Sequence, residues 1–244
     1  MDATVQSCNI CATSTDGDGA DIAMTEFLTS LLVFIASHVL PARTGLRAWA
    51  VGRIGHGPYM AAYSVVSLAI VVWIVVAAGR APYVELWPQA SWQAWAPLLV
   101  MPFALVLLTA GLVQPNPLSI GLMRADRPDT TVGIMRVTRH PVLWGFGLWA
   151  FAHVVTNGDL VSVILFGGLG LFAFAGMAAL DRRRRREMGD DPWADRVRET
   201  TAVPFGAIVT GRTLAAATLG IAVYLALLLG GHVLLFGTDP LAAL

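Results

Sequence analysis

The arginines of this chain alternate with long apolar runs, and that alternation restricts the fold more than any other feature of the sequence. The chain has no lysine, and 15 of its 16 arginines fall in three segments, which follow the first, third and fifth of six apolar runs. Only Arg80 follows the second run. Because the cytoplasmic loops of membrane proteins collect Lys and Arg, the asymmetry predicts a multi-pass protein of the bacterial inner membrane with both termini in the periplasm.

The apolar runs have the lengths that membrane-spanning helices need, which is roughly 20 residues. With 56% hydrophobic residues, 13% charged residues and a mean hydropathy of +0.67, a water-soluble surface is excluded. Formal neutrality gives no reason to expect nucleic acid as a partner, and the basic loops are predicted to face anionic lipid headgroups. We therefore expect an all-α transmembrane bundle of about six helices in a lipid bilayer. The six runs are about 25–45, 58–79, 95–113, 141–157, 159–180 and 214–236.

A tight helical hairpin is predicted between the fourth and fifth runs. Asn157 is a helix stop, Gly158 is free to adopt a positive φ, and Asp159 is an N-cap residue. The two helices are therefore expected to lie antiparallel and next to each other.

The first 23 residues differ in character from the rest of the chain, because they are polar and contain no arginine. We interpret 1–23 as a disordered tail, with Met24 as an alternative start site, and 24–244 as the transmembrane domain. The pair Cys8 and Cys11 cannot complete a zinc shell alone, and the next residue is not the His of a haem-attachment motif. The pair is expected to have no function, and the alternative is a periplasmic disulfide.

Two histidines fall inside predicted spans, where ionisable groups are costly and usually functional. His38 shares a helix face with Phe34, and His153 shares one with Trp149. Either ring can simply donate to a backbone carbonyl and fill the bundle interior. Imidazoles on separate helices are also the axial arrangement of haem b. Counting from the inner helix ends places the two histidines roughly 9 Å apart in depth, so a single ligand, or a substrate cavity without iron, stays open as an alternative.

Besides the two histidines, the helix start at Arg139-His140-Pro141 is a candidate site, because its exposed N–H groups favour an anion. A haem propionate, a cofactor carboxylate and a lipid phosphate are all compatible with it, and Arg43 or Arg139 is expected to pair with the propionates. The preceding loop, 114–140, is long enough to suggest function. The loop residues expected to face a cavity are Gln114, Asn116, Arg124, Asp126 and Arg127.

Several of these segments resemble the NnrU family, over about 24–212. The family name is tied to denitrification gene clusters, so the resemblance implies a role linked to nitrite and nitric oxide respiration without assigning a reaction. The matching segments are Phe34-Ile-Ala-Ser-His38-Val-Leu-Pro41-Ala-Arg43, Pro58 to Ser67, Thr138-Arg-His-Pro141, and Trp149 through His153 to Asp159.

The NnrU family is in turn similar to the zeta-carotene isomerases, membrane proteins that use haem b to isomerise a central cis double bond. That likeness implies that His38 and His153 ligate the iron, that an apolar small molecule is the substrate, and that the activity is a haem-dependent isomerase or oxidoreductase. The isomerases have a Cys three residues before the second His, where this chain has Ala150, so a switch to a thiolate ligand is not available.

Two other functional classes remain open. Membrane methyltransferases and sterol reductases share an Arg-His-Pro helix start and a basic segment with Glu, Gly and aromatic residues, which would assign Arg139 and His140 to S-adenosylmethionine or NADPH. The expected Tyr is replaced by Trp193. The third class is a non-catalytic assembly factor for nitrogen-oxide respiration.

Overall fold

The computed structural model of the protein describes residues 12–122, 133–204 and 211–242. They form two compact units, which divide between Val84 and Glu85. Every regular element among the described residues is a helix, and the only extended pairing there is an isolated bridge between Glu85 and Asp159. The all-α prediction is therefore confirmed.

The described part of the first unit forms three helices, of which the first and third pack against each other. Trp73 of the third helix donates from its indole Nε1 to Glu26 Oε1 of the first helix at 3.1 Å. This bond gives the Glu26 carboxyl group, which lies near the end of a span, a polar partner. The helices are α1 Ala12–Arg43, α2 Leu46–Ile54 and α3 His56–Arg80.

Helix α1 begins at Ala12, twelve residues before the expected boundary at Met24. The part of the predicted tail from 12 to 23 is thus helical, which differs from the disorder expected of it. Lengthening an existing helix needs no new nucleus, so a stable apolar span can carry polar residues into the helix at its N-terminal end. Cys8 and Cys11 lie outside the described residues.

The second unit is built around α4 and α5, which pack against each other. Helix α8 packs on α4, and α6 packs on α5, so these four helices form a continuous series. Short 3₁₀ turns precede α4 and α5, and a π-helical turn, Leu227–Gly231, joins the last two helices. The helices are α4 Trp95–Val113, α5 Pro141–Thr156, α6 Leu160–Met188, α7 Asp190–Arg198, α8 Gly211–Ala226 and α9 His232–Phe236.

Among the described residues, five segments are long and apolar enough to cross a membrane, and α5 is a further, shorter apolar helix of 16 residues. A helix of that length extends about 24 Å at 1.5 Å per residue, which is shorter than the roughly 30 Å hydrocarbon core of a bilayer. The prediction of about six spanning helices agrees with this arrangement. The five long segments are Gly17–Arg43, His56–Arg80, Ser91–Val113, Leu160–Met188 and Thr213–Phe236.

The hairpin between α5 and α6 forms as predicted, but its glycine has a different role from the one expected. Asp159 caps α6 by accepting from the Ser162 N–H at 2.9 Å, and Asn157 Nδ2 donates to the His153 carbonyl at 2.7 Å. Gly158 does not adopt a positive φ. Its carbonyl instead accepts from the N–H groups of Leu86 and Trp87, and a Cβ atom there would collide with the Trp87 carbonyl. The position needs glycine because another backbone comes so close to it.

Candidate functional site

A buried ion-pair cluster joins the start of α5 to the basic end of α6. Arg139 donates to the Asp181 carboxylate through Nη2 at 2.6 Å, and through Nε at 3.0 and 3.1 Å. The imidazole Nε2 of His140 lies 2.8 Å from Asp181 Oδ1. The His140 side chain is fully buried, that of Arg139 is 10% exposed, and that of Asp181 is 22% exposed. One aspartate thus accepts from two consecutive residues at the head of a helix.

The tautomer of His140 follows from its partners. An ionised carboxylate can only accept, so the proton of the contact with Asp181 belongs to Nε2. The other ring nitrogen, Nδ1, lies 3.0 Å from Ser119 Oγ, a hydroxyl that can donate to it. Both ring nitrogens are therefore engaged within the protein.

The loop before α5 is folded onto the same cluster by an asparagine. Asn116 Nδ2 donates to the Arg139 carbonyl at 2.9 Å, while Asn116 Oδ1 accepts from the N–H groups of Leu118 and Ser119 at 3.0 and 3.1 Å. Gln114 Oε1 similarly accepts from the Ile134 N–H at 2.8 Å. Both amides were expected to face a cavity, but each is buried and bonded to backbone, because a buried loop must satisfy its own polar groups.

The segment that follows α7 is also bonded to the start of α5. The Arg139 N–H donates to the Thr201 carbonyl at 2.8 Å. The Ala202 carbonyl accepts from Thr138 Oγ1 at 3.0 Å and from Trp144 Nε1 at 2.7 Å. These bonds hold the segment after α7 against the start of α5.

A cavity of about 200 Å³ lies between these elements. One wall is the Arg139–Asp181 pair, and another is the indole of Trp193 on α7, whose ring centroid is 5.8 Å from the Arg139 guanidinium carbon. Three of its six lining residues are arginines, and one is an acid. The lining residues are Arg139, Asp181, Arg182, Arg185, Trp193 and Val197.

The order Ser119, His140, Asp181 has the connectivity of a hydrolase triad, but its geometry argues for a positioning role. In a hydrolase triad the histidine Nε2 faces the serine and Nδ1 faces the aspartate. Here Nδ1 faces Ser119 and Nε2 faces Asp181. Ser119 is buried and does not line the cavity. Asp181 also carries a bidentate arginine. The network therefore fixes side chains and does not present a nucleophile.

The two intramembrane histidines lie in different units, and in each the ring Nδ1 lies close to a backbone carbonyl four residues earlier; His38 Nδ1 also lies 3.2 Å from Ser37 Oγ. His38 Nδ1 lies 2.8 Å from the Phe34 carbonyl, and His153 Nδ1 lies 2.8 Å from the Trp149 carbonyl. A carbonyl only accepts, so each Nδ1 carries the proton and each Nε2 keeps a lone pair. Each ring also contacts the aromatic residue four positions before it, at centroid distances of 4.3 Å in α1 and 5.3 Å in α5.

The remaining predicted site residues are located as follows. Arg43 is exposed at the last position of α1. Arg124, Asp126 and Arg127 lie outside the described residues. In the part of the chain that the structure describes, no group of three or more His, Cys, Asp or Glu side chains could hold a metal ion. Asp181 was not among the predicted site residues, although an acid directly before five arginines was a signal for it.

A series of apolar spanning helices, with a buried polar cluster at the basic end of one span, defines a polytopic α-helical membrane protein. The chain belongs to the NnrU protein family, whose family model matches residues 26–240. That match covers every spanning helix apart from the first residues of α1.

The chain is also similar to part of two curated plant proteins. These are the chloroplastic 15-cis-zeta-carotene isomerases of Arabidopsis thaliana and Zea mays, each 36% identical over 80 residues. The aligned region is 33% of this chain and 22% of each relative, so the likeness spans about a fifth of the relatives' length. No solved structure matches the chain significantly.

Proposed function

We propose that this NnrU-family membrane protein binds haem b through His38 and His153 and acts on an apolar substrate within the bilayer. The observation that carries the proposal is that both histidine rings have the same tautomer. In each, the Nδ1–H is bonded to the carbonyl of the residue four positions earlier. A ligating histidine typically holds its other N–H in such a bond, which fixes the ring and makes the ligating nitrogen more basic.

The surroundings of His153 fit an apolar prosthetic group. Its ring lies 5.0 Å from that of Phe166 on α6, and Trp149 contacts both rings. Among the described residues, none forms a hydrogen bond with His153 Nε2, so that nitrogen is available as a donor to iron. His38 lies beside Tyr63 of α3, with ring centroids 5.6 Å apart. Iron held in this way would supply one-electron chemistry in a site that excludes water.

The reaction we propose is of the isomerase type on an apolar polyene. Two relatives are named for the isomerisation of 15-cis-zeta-carotene, and this chain shares 36% identity with them over 80 residues. Ala150 is buried in α5, and the position of a Cβ on Gly170 of α6 lies 3.3 Å from the Ala150 Cβ. The chain therefore has a tightly packed helix contact at the position where the isomerases have a cysteine, and a reaction here cannot use that thiolate.

Spectroscopy of the purified protein tests the haem proposal. Protein expressed with ample haem should show a Soret band, and the reduced form should show sharp low-spin b-type bands because two imidazoles give a strong field. His38→Ala and His153→Ala should each lose haem or shift the iron to high spin. His56→Ala and His232→Ala are matched controls and should leave the spectrum unchanged. A colourless wild type that takes up no hemin would show that both rings are packing residues.

Two further assays test the function. Conversion of 15-cis-zeta-carotene by reduced protein, followed by chromatography of the carotenoid isomers, should require both histidines. The link of the family to nitrogen-oxide respiration predicts that a deletion strain consumes nitrite or nitric oxide more slowly than its parent. A strain complemented with the His153→Ala variant should remain slow if haem is needed, and should recover fully if the protein acts only as an assembly factor.

The methyltransferase or reductase hypothesis has less support from the geometry. It needs His140 to contact a cofactor, but both ring nitrogens of His140 are bonded to Ser119 and Asp181. Titration with S-adenosylmethionine is therefore expected to show no saturable binding at millimolar concentration. Saturable binding that His140→Ala abolishes would favour this hypothesis over the haem proposal.

A further inference from the structure

We propose that the cavity between α6 and α7 is a binding site for the phosphate of an anionic lipid headgroup. The proposal concerns the basic end of the second unit and does not depend on haem. It rests on three observations, which are a cavity-lining arginine without an acidic partner among the described residues, the position of the cavity along α6, and the short helix α7 beside the cavity.

The first observation is the uneven pairing of the arginines in the run that ends α6. Arg183 and Arg184 both contact Glu187, at 2.7 and 2.8 Å, and Arg185 contacts Asp190 at 2.7 Å. Among the residues that the structure describes, Arg182 has no ion-pair or hydrogen-bond partner, and it lines the cavity. An arginine guanidinium offers five donors in a planar fork that suits phosphate.

The remaining charges of the cavity favour the same ligand. The carboxylate of Asp181 is already shared by Arg139 and His140, so it cannot also neutralise Arg182. The cavity therefore keeps an excess of positive charge after its internal pairs are counted. An anion that enters it gains charge-assisted hydrogen bonds from guanidinium groups that the fold has already positioned.

The second observation is depth. Helix α6 is apolar from Leu160 to Leu180 and then turns charged at Asp181. The apolar part extends about 32 Å at 1.5 Å per residue, close to the roughly 30 Å of a bilayer's hydrocarbon core. Arg182 thus lies where the hydrocarbon ends and the lipid phosphates begin, and a lipid reaches this site without leaving the membrane.

The third observation is the short helix α7, which lines the cavity. The chain turns at Gly189, where φ is +88°, and then forms α7. Trp193 and Val197, four residues apart on one face of α7, both line the cavity. A short amphipathic helix with an indole on its inner face suits the membrane interface, where aromatic rings lie beside headgroups.

The volume of the cavity supports a headgroup over a whole soluble cofactor. Sites for drug-sized ligands usually enclose about 300–1,000 Å³, whereas this cavity holds about 200 Å³. It can accept a phosphate ester with a small alcohol, while the acyl chains remain in the bilayer along α6. We therefore assign the phosphate to a lipid and not to a free nucleotide.

Native mass spectrometry of the full chain in neutral detergent tests the proposal, with added phosphatidylglycerol as the probe. The wild type should retain one phosphatidylglycerol. Arg182→Gln should lower the retained fraction about tenfold, because it removes a charge-assisted hydrogen bond to the phosphate. Arg186→Gln is the matched control, because Arg186 lies in the same run, has no acidic partner among the described residues and does not line the cavity. Its retained fraction should stay within about twofold of the wild type.

Competition arms separate the sources of the phosphate. Inorganic phosphate at millimolar concentration should not displace the lipid, and phosphatidylcholine should be retained less well because its choline cation faces arginines. Equal losses in Arg182→Gln and Arg186→Gln would show only diffuse attraction to a basic surface, and would overturn the site. Displacement of the lipid by inorganic phosphate would overturn the lipid assignment. Unchanged retention in Arg182→Gln would likewise reject the proposal.

Discussion

Replacement of Asp181 by alanine should destabilise the second unit more than any substitution of an exposed acid. The change leaves the guanidinium of Arg139, 10% exposed, and the buried ring of His140 without their shared acceptor. Breaking a fully buried ion pair costs about 3–5 kcal/mol. The Asp181 side chain is 22% exposed, so water replaces part of what is lost. We expect the free energy of unfolding to fall by about 2–3 kcal/mol.

The measurement is the apparent Tm in detergent, taken at one scan rate because membrane proteins often unfold irreversibly. For a chain of this size, 1 kcal/mol corresponds to roughly 2–4 °C, so Asp181→Ala should lower the Tm by about 5–10 °C. Asp195→Ala is the control, since its partner Arg198 is 79% exposed and the pair contributes little.

A double variant separates the ion pair from other effects of the substitution. In an Asp181→Ala background, Arg139→Gln removes the guanidinium left without its partner, so the double variant should be no less stable than Asp181→Ala alone. If Asp181→Ala unfolds within about 2 °C of the Asp195→Ala control, the cluster does not contribute as described, and the reasoning about the buried pair fails.

Three other predictions follow from the same structure. Asn116→Ala should lower the free energy of unfolding by about 2–3 kcal/mol, since it leaves three buried backbone groups without partners. Asn157→Ala, which removes the side-chain bond to the His153 carbonyl, should cost clearly less, and equal Tm losses for the two variants would contradict this. Gly158→Ala should destabilise the hairpin because the new Cβ meets the Trp87 carbonyl, whereas Gly167→Ala, which has open space around it, should not. Similar Tm values for the two variants would contradict the close approach of the Gly158 and Trp87 backbones. A reporter fused after Leu244 should be active in the periplasm. If that reporter and a second one placed before Met24 are both active in the cytoplasm instead, the topology based on the arginines is refuted.

Most of the fold could be predicted from the sequence because membrane spans are encoded locally. The fourth apolar run was expected at 141–157, and α5 is Pro141–Thr156. Length and hydropathy decide such boundaries, and both are visible in any window of about 20 residues. The start of α1 was missed because helix extension into polar residues depends on the stability of the adjoining span and not on the local composition.

Only some residues of the candidate site could be predicted from the sequence. Arg139 and His140 were identified from the helix start that they precede, a signal within one segment. Asp181 lies about 40 residues further along the chain, and its pairing with them depends on α5 and α6 lying side by side. For the same reason, Gln114 and Asn116 were assigned to a cavity, although the packed loop uses both amides for its own backbone.

Polar contacts hold helices α5 and α6 together at both ends, and the proposed haem ligand His153 lies between these ends. At one end Asp159 caps α6 directly after the hairpin, and at the other Asp181 holds the residues that precede α5. Between these ends, His153 of α5 contacts Phe166 of α6. Two fixed ends prevent one helix from sliding along the other, so the aromatic wall beside His153 keeps its position. The cluster therefore stabilises the surroundings of His153, the ligand that the second unit contributes to the proposed site.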